Sequence, residues 1–196
     1  MLPDQLKLRQ QESELCWYPM RIFHSSAKRQ NELNEALLQE PTVERTYVAR
    51  SLVDAEEMKY VNSLENYIFI RIRLKDLRDI KANKAKYDHL RYVMYKHHDK
   101  DGLQITRISR VPNKQMEDFI RVIENANEQV IQLENMDFAF KPGQKVIIRK
   151  GVFEGVEGIL KSIKKHLCVV VPIQGVAALA ITNIPKKWIS ISESHF

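Results

Sequence analysis

Between Lys141 and Ser192 the chain breaks into five short apolar runs: Lys145–Ile148, Gly158–Ile163, Cys168–Val171, Val176–Thr182 and Trp188–Ile191. Gly, Pro or Lys turns separate them, and almost no helical period survives. Five strands in about fifty residues predict a small closed or nearly closed all-β barrel. A barrel of that size has tight corners, where glycine supplies positive φ or close backbone approach. It also has little core, so Phe153 and Trp188 are expected to supply a large share of its burial.

Upstream the pattern differs. Leu15–Phe23 is rich in aromatic and apolar residues and reads as a strand, and Pro19 argues for an edge position or a bulge. Ser25 or Ser26 can cap a helix that runs to about Gln39, before Pro41, with Leu33, Leu37 and Ala36 on its apolar stripe. Thr42–Val53 reads as a second strand leading to a polar hairpin, Asp54–Lys59. A short lysine-rich helix begins at Asp76, with Leu77 and Ile80 facing inward. Strands at Leu90–Tyr95 and Leu103–Ser109 follow, joined by a polar turn at 97–102. From Pro112, Met116, Phe119, Ile120 and Ile123 keep amphipathic spacing, so this helix should pack on the sheet. Asn127–Phe140 has no clean period and reads as a linker. The expected organisation is a polar tail (1–14), an α+β domain of antiparallel sheet and flanking helices (15–126), the linker (127–140) and the small barrel (141–192).

The strand Asn66–Arg73 carries the most information about function. Side chains alternate across a strand, so Ile68, Ile70 and Ile72 share a core face. Tyr67, Phe69, Arg71 and Arg73 share the other, a mixture that suits a partner-binding patch. The equal alternative is that a helix covers Tyr67 and Phe69. Lys28 and Arg29 sit in the first turn of their helix, where its dipole disfavours positive charge by roughly a few tenths of a kcal/mol. They are either phosphate contacts or part of a solvated helix face.

Charge is unevenly placed. From Lys141 onward nine Lys and Arg stand against three Asp and Glu, a balance of +6 that equals the net charge of the whole chain. The preceding 140 residues balance, with 22 of each sign. A basic module suggests RNA, ribosome or an acidic protein surface, unless the excess serves only solubility. No Gly-rich phosphate loop, nucleophile elbow or metal-ligand cluster is present, and Glu154 and Glu157 read as surface residues of a turn. The chain is therefore expected to be non-enzymatic, with no cofactor and no metal. The adjacent His97 and His98 have poor ligand spacing. Cys16 and Cys168 read as small buried residues of a cytoplasmic protein. No apolar run approaches the roughly 20 residues that span a bilayer.

The segment Gly143-Gln-Lys-Val-Ile-Ile-Arg-Lys-Gly151-Val-Phe-Glu-Gly155-Val-Glu-Gly158 resembles the KOW motif, in which a Gly-x-Phe-x-Gly-x-x-Gly turn joins two strands. KOW motifs also occur in ribosomal proteins. Trp17-Tyr18, a helix, and Asn66-Tyr67-Ile68-Phe69-Ile70 resemble the NGN domain of NusG and its specialised paralogues. The two resemblances together cover about residues 15 to 191. Pro112–Ile120, Phe153–Gly158 and Val169–Val176 are similar to the UpxY group of the Bacteroides lineage.

The resemblance implies a transcription elongation and antitermination factor, monomeric, that binds the β′ clamp helices of RNA polymerase. Leu64, Tyr67 and Phe69 match its hydrophobic binding patch. It implies service to specific long operons, notably for capsular polysaccharide. His24, Lys28 and Arg29 fall where specialised paralogues touch non-template DNA, and nascent RNA is the other nucleic acid considered. Gly151, Phe153, Gly155 and Gly158 form the KOW turn. Two departures matter. Glu65-Asn66 stands where housekeeping members have Pro-Gly. Ile173-Gln174-Gly175-Val176 replaces a late-loop Ile-Phe-Gly-Arg, which removes an aromatic and an arginine and implies weakened contact with Rho or the small ribosomal subunit. The alternative reading is an RNA- or ribosome-binding KOW protein.

Overall fold

The computed structural model describes residues 12–49, 64–98, 101–126, 129–133, 143–163 and 166–192. The Asp54–Lys59 hairpin, most of the polar tail and most of the 127–140 linker lie outside these. The architecture is α+β and falls into two compact units. One holds the described residues up to Ala49 and from Glu65 to Pro112; the other holds Leu64 and everything from Asn113.

In the first unit β1 (Leu15–Ile22), β2 (Arg45–Val48), β3 (Tyr67–Arg73) and β4 (Leu90–Tyr92) form an antiparallel sheet of order β2-β3-β1-β4. The isoleucine alternation is realised: Ile68, Ile70 and Ile72 are fully buried with Cys16, Tyr18, Met20 and Ile22 from β1. Leu33 and Leu37 of α1 (Ala27–Leu38) and Leu77 and Ile80 of α2 (Leu74–Ala82) complete that core. Ser26 caps α1 by accepting the Arg29 N–H at 3.2 Å, as the Ser-x-x pattern predicts. A short α3 (Lys84–Tyr87) follows α2, and the Lys81 ammonium bridges it to β4 by donating to the carbonyls of Tyr87 (2.9 Å) and Leu90 (2.7 Å). The two strands β5 (Met94–His98) and β6 (Gln104–Ile108) form a separate ribbon.

Pro19 does not mark an edge. β1 is central, paired with β3 along its length and with β4 only at Met20–Ile22. The N–H groups of Trp17 and Phe23 point away from β3, to Val111 and His89. By alternation the missing N–H of Pro19 faces the same side, between the Val111 bridge and the β4 ladder. The proline sits in a break that needs no donor.

The second unit contains α4 (Asn113–Glu124), β7 (Val130–Gln132), β8 (Lys145–Ile148), β9 (Glu157–Ile163), β10 (His166–Ile173), β11 (Ala177–Ile181) and β12 (Ile189–Ile191). The last five strands match the five apolar runs. β7 is an addition: a three-residue strand within the predicted linker, paired with β11. The six form one sheet of order β12-β8-β9-β10-β11-β7. Among the described strands no ladder joins β12 to β7, so of the two forms expected, a closed or a nearly closed barrel, these strands do not make the closed one. Added at the end of the row, β7 occupies the outer edge of β11 that a closing partner would use.

α4 packs against β10 and β11. Its predicted apolar face is buried at Met116, Phe119, Ile120 and Ile123, and Val122, which the spacing did not single out, is buried too. The helix thus groups with the second unit, not with the 15–126 domain to which its position in sequence assigned it. Of the two aromatics expected to fill the small core, Phe153 is buried and Trp188 only partly so.

Candidate functional site

The face of the first sheet opposite the isoleucines carries Trp17, Pro19 and Arg21 from β1, Arg45 and Tyr47 from β2, and Tyr67, Phe69, Arg71 and Arg73 from β3. The aromatic residues expected to form a partner-binding patch are unequal. Phe69 is fully buried, and Tyr67 is half-buried. The reason is strand position. Phe69 lies between Pro19 and Tyr47, whose ring centroid is 6.2 Å away. Tyr67 lies beyond the end of the β2 ladder and has a strand neighbour, Arg21, on one side only. Leu64 is buried as well and belongs to the second unit.

Arginines frame this face. Arg45 stacks over the buried Trp17 ring at 5.7 Å from its centroid, and Arg71 pairs with Glu44. Arg73 lies 3.8 Å from Asp76. The face therefore offers one half-open tyrosine within a cationic frame, the composition of an interface rim around an aromatic anchor.

At the start of α1 the chain turns through His24, whose φ of 52° is left-handed. Arg29 donates to the His24 carbonyl, and Lys28 lies 3.8 Å from Glu32 with its side chain largely exposed. Two further residues join the three expected there. Phe23, half exposed, meets the His24 ring edge-on at 4.1 Å, and the Arg91 guanidinium sits 5.7 Å over the Phe23 ring. Arg21 lies directly across from Arg91 in the ladder. An exposed aromatic ring among four cations can stack a base and hold phosphates. Sequence reading missed Arg91 because only strand register brings β4 beside the end of β1. Phe23 was visible but read as the apolar end of a strand.

In the second unit Gly151 (φ 89°) and Gly155 (φ 84°) adopt the left-handed conformation on either side of buried Phe153. Gly158 serves close approach instead: a Cβ there would lie 2.6 Å from the Val170 carbonyl oxygen. The four residues of the predicted turn are thus brought together. A stripe of polar side chains on α4 grips the same turn by its backbone. Lys114 donates to the Gly155 carbonyl at 2.9 Å, Arg121 donates to that of Glu154, and buried Asp118 accepts the Glu157 N–H at 3.1 Å. Burial pushes the Asp118 carboxyl above its usual range, against the opposing pull of Lys114 and the Glu157 N–H. Gln115 donates to the Pro172 carbonyl, one residue before the 173–176 loop. In that loop Ile173 is buried, Gln174 and Val176 are half-buried and Gly175 is exposed.

Cys16 and Cys168 are both buried, and the Cys16 sulfur accepts from Arg110 Nε at 3.0 Å. Among the described residues no three His, Cys, Asp or Glu converge on a metal-sized site, and no helix is long and apolar enough to cross a membrane. Neither the family models nor the curated proteins contain a match to this chain.

Proposed function

We propose that this chain is a NusG-like transcription antitermination and elongation factor of the UpxY type. In this reading its first unit is the NGN-type module and its open six-stranded sheet is the KOW module. The observation that carries the proposal is the Gly151–Gly158 turn. Two left-handed glycines flank a buried phenylalanine, and a third glycine allows strand-to-strand contact, at the spacing of a KOW motif. The preceding sheet with its aromatic and arginine face supports the polymerase-binding role. Tyr67 is the anchor offered to the clamp helices, while Phe69 shapes the surface from beneath.

The cluster of Phe23, His24, Lys28, Arg29 and Arg91 supports a contact with single-stranded nucleic acid in the transcribing complex. The missing aromatic and arginine at Gln174 and Val176 favour antitermination over assistance to Rho. The targets are long operons, with polysaccharide biosynthesis the first to examine. Mapping chromosomal occupancy tests this directly: confinement to one or a few long operons is expected. Occupancy of all transcribed genes would instead point to a general factor, and absence from transcribed DNA would overturn the proposal.

The charge balance of +6 beyond Lys141 favours a second reading, an RNA- or ribosome-binding KOW protein. That reading predicts affinity for free RNA that falls steeply with salt, without co-purification of polymerase.

A further inference from the structure

The second unit carries a groove of about 340 Å³ lined by Val146, Leu160, Leu167, Ile189, Ile191 and Lys186, among others. Register explains the apolar lining. Ile191 pairs with Val146, Val146 with Gly158, and Leu160 with Val169, so Val146, Leu160, Leu167, Ile189 and Ile191 share one face of the sheet. The groove runs beside β12, which pairs with β8 and ends the row of described strands. Trp188 accepts from the Arg149 N–H and Ser192 donates to the Lys145 carbonyl. By alternation Ile191 directs its own N–H and carbonyl to the other side, along the edge of the sheet. Ile191 is 64% exposed.

We infer that this edge and groove form a docking site for an extended, acidic segment of a partner protein, added as a strand beside β12. Strand addition uses main-chain hydrogen bonds for affinity and pockets for alternate side chains for selection. Here every second side chain of the guest enters the apolar groove. Charge fixes the class of guest: Lys186 lines the groove, exposed Lys187 adjoins it, and no Asp or Glu is among the lining residues. A nucleic acid would want aromatic stacking platforms, and no aromatic residue lines this groove. None of its lining residues belongs to the 173–176 loop or to the turn gripped by α4.

The probe is a fluorescein-labelled peptide of sequence Glu-Leu-Glu-Val-Glu-Leu-Glu, titrated with the full chain and followed by anisotropy. Saturable binding is expected, weakened about tenfold or more by Lys186→Glu. A charge-reversed peptide with Lys for Glu should bind the natural chain poorly and the Lys186→Glu chain better, a rescue that misfolding cannot mimic. Ile191→Asp, at an exposed position, should weaken the acidic peptide without lowering the melting temperature. No saturable binding, equal binding of the two peptides, or binding unchanged in both variants would overturn the inference. Displacement of the peptide by an RNA oligonucleotide, or self-association of the chain abolished by Ile191→Asp, would also overturn it in favour of another occupant.

Discussion

Asp118 accepts the backbone N–H of Glu157 at 3.1 Å while Lys114 closes on both its carboxylate oxygens at 2.6 Å. A buried carboxylate thereby spans helix and turn within the second unit. Asp118→Ala would leave the Glu157 N–H without its partner, at a cost of about 1–3 kcal/mol. Asp118→Asn, which keeps an acceptor oxygen, should cost less. Urea unfolding and the exchange rate of the Glu157 amide check this; an unchanged rate in Asp118→Ala would show that the bond does not hold the turn.

Tyr67 and Phe69 differ in what their removal should do. Tyr67→Ala is expected to reduce polymerase retention in a pull-down by about thirtyfold, the equivalent of roughly 2 kcal/mol at an aromatic anchor, while the chain stays folded. Phe69→Ala empties a fully buried site and should cost about 3–5 kcal/mol of stability. Any binding loss in that variant would follow from damage to the sheet. Full retention by a folded Tyr67→Ala chain would remove this strand from the interface.

The Phe23 and Arg91 pair should matter for single-stranded nucleic acid. Phe23→Ala is expected to weaken binding of a short single-stranded DNA by about 1–3 kcal/mol through lost stacking. Arg91→Ala should reduce the salt dependence of binding by about one unit of slope. Filter binding over a salt series measures both, and equal slopes would argue against a phosphate contact at Arg91.

How far this arrangement could be read from the residues depended on whether a signal was local or set by pairing. The alternation of Ile68, Ile70 and Ile72 is local and names the core face without help. The burial of Phe69 is not local, because it follows from β3 lying between β1 and β2. Met116, Phe119 and Ile123 disclose that α4 has an apolar face, but periodicity carries no address for the sheet that receives it. Val130–Gln132 is too short for any period, so β7 becomes a strand only through its ladder with β11. The polar stripe Lys114, Asp118 and Arg121 carries no local signal of its role, because its acceptors and donor are the backbone of a turn some thirty to forty residues away.

Tyr18 places a hydroxyl in the first core with no hydrogen-bond partner among the described residues. Burial pushes its pKa up to about 12. Because the folded value is raised, the stabilisation linked to its proton is complete below the unfolded value of about 10. It is lost as pH rises from there through about 12. Tyr18→Phe should therefore be neutral or slightly stabilising at pH 7 and should blunt alkaline unfolding. Absorbance titration at alkaline pH, compared between the two chains, checks the assignment.

Gly158→Ala should destabilise the second unit more than Gly155→Ala. The new methyl at 158 would meet the Val170 carbonyl oxygen at 2.6 Å, whereas at 155 it would meet only the end of Arg121, at 3.4 Å. The cost at 155 is then mainly that of holding alanine at a φ of 84°, about 1–2 kcal/mol. Thermal melts of the two variants give the order directly.

The ladder between β7 and β11 bears on how the protein can be cut. A fragment starting at Lys141, where the repeating short strands begin, would lack both Val130–Gln132 and α4. It would bare the outer edge of Ala177–Ile181 and part of the apolar surface that α4 covers, a template for aggregation. A fragment starting at Asn113 carries its own edge protection. The piece of this chain that keeps that edge and α4 thus begins some thirty residues before its most recognisable motif, and of the second unit's described residues it lacks only Leu64.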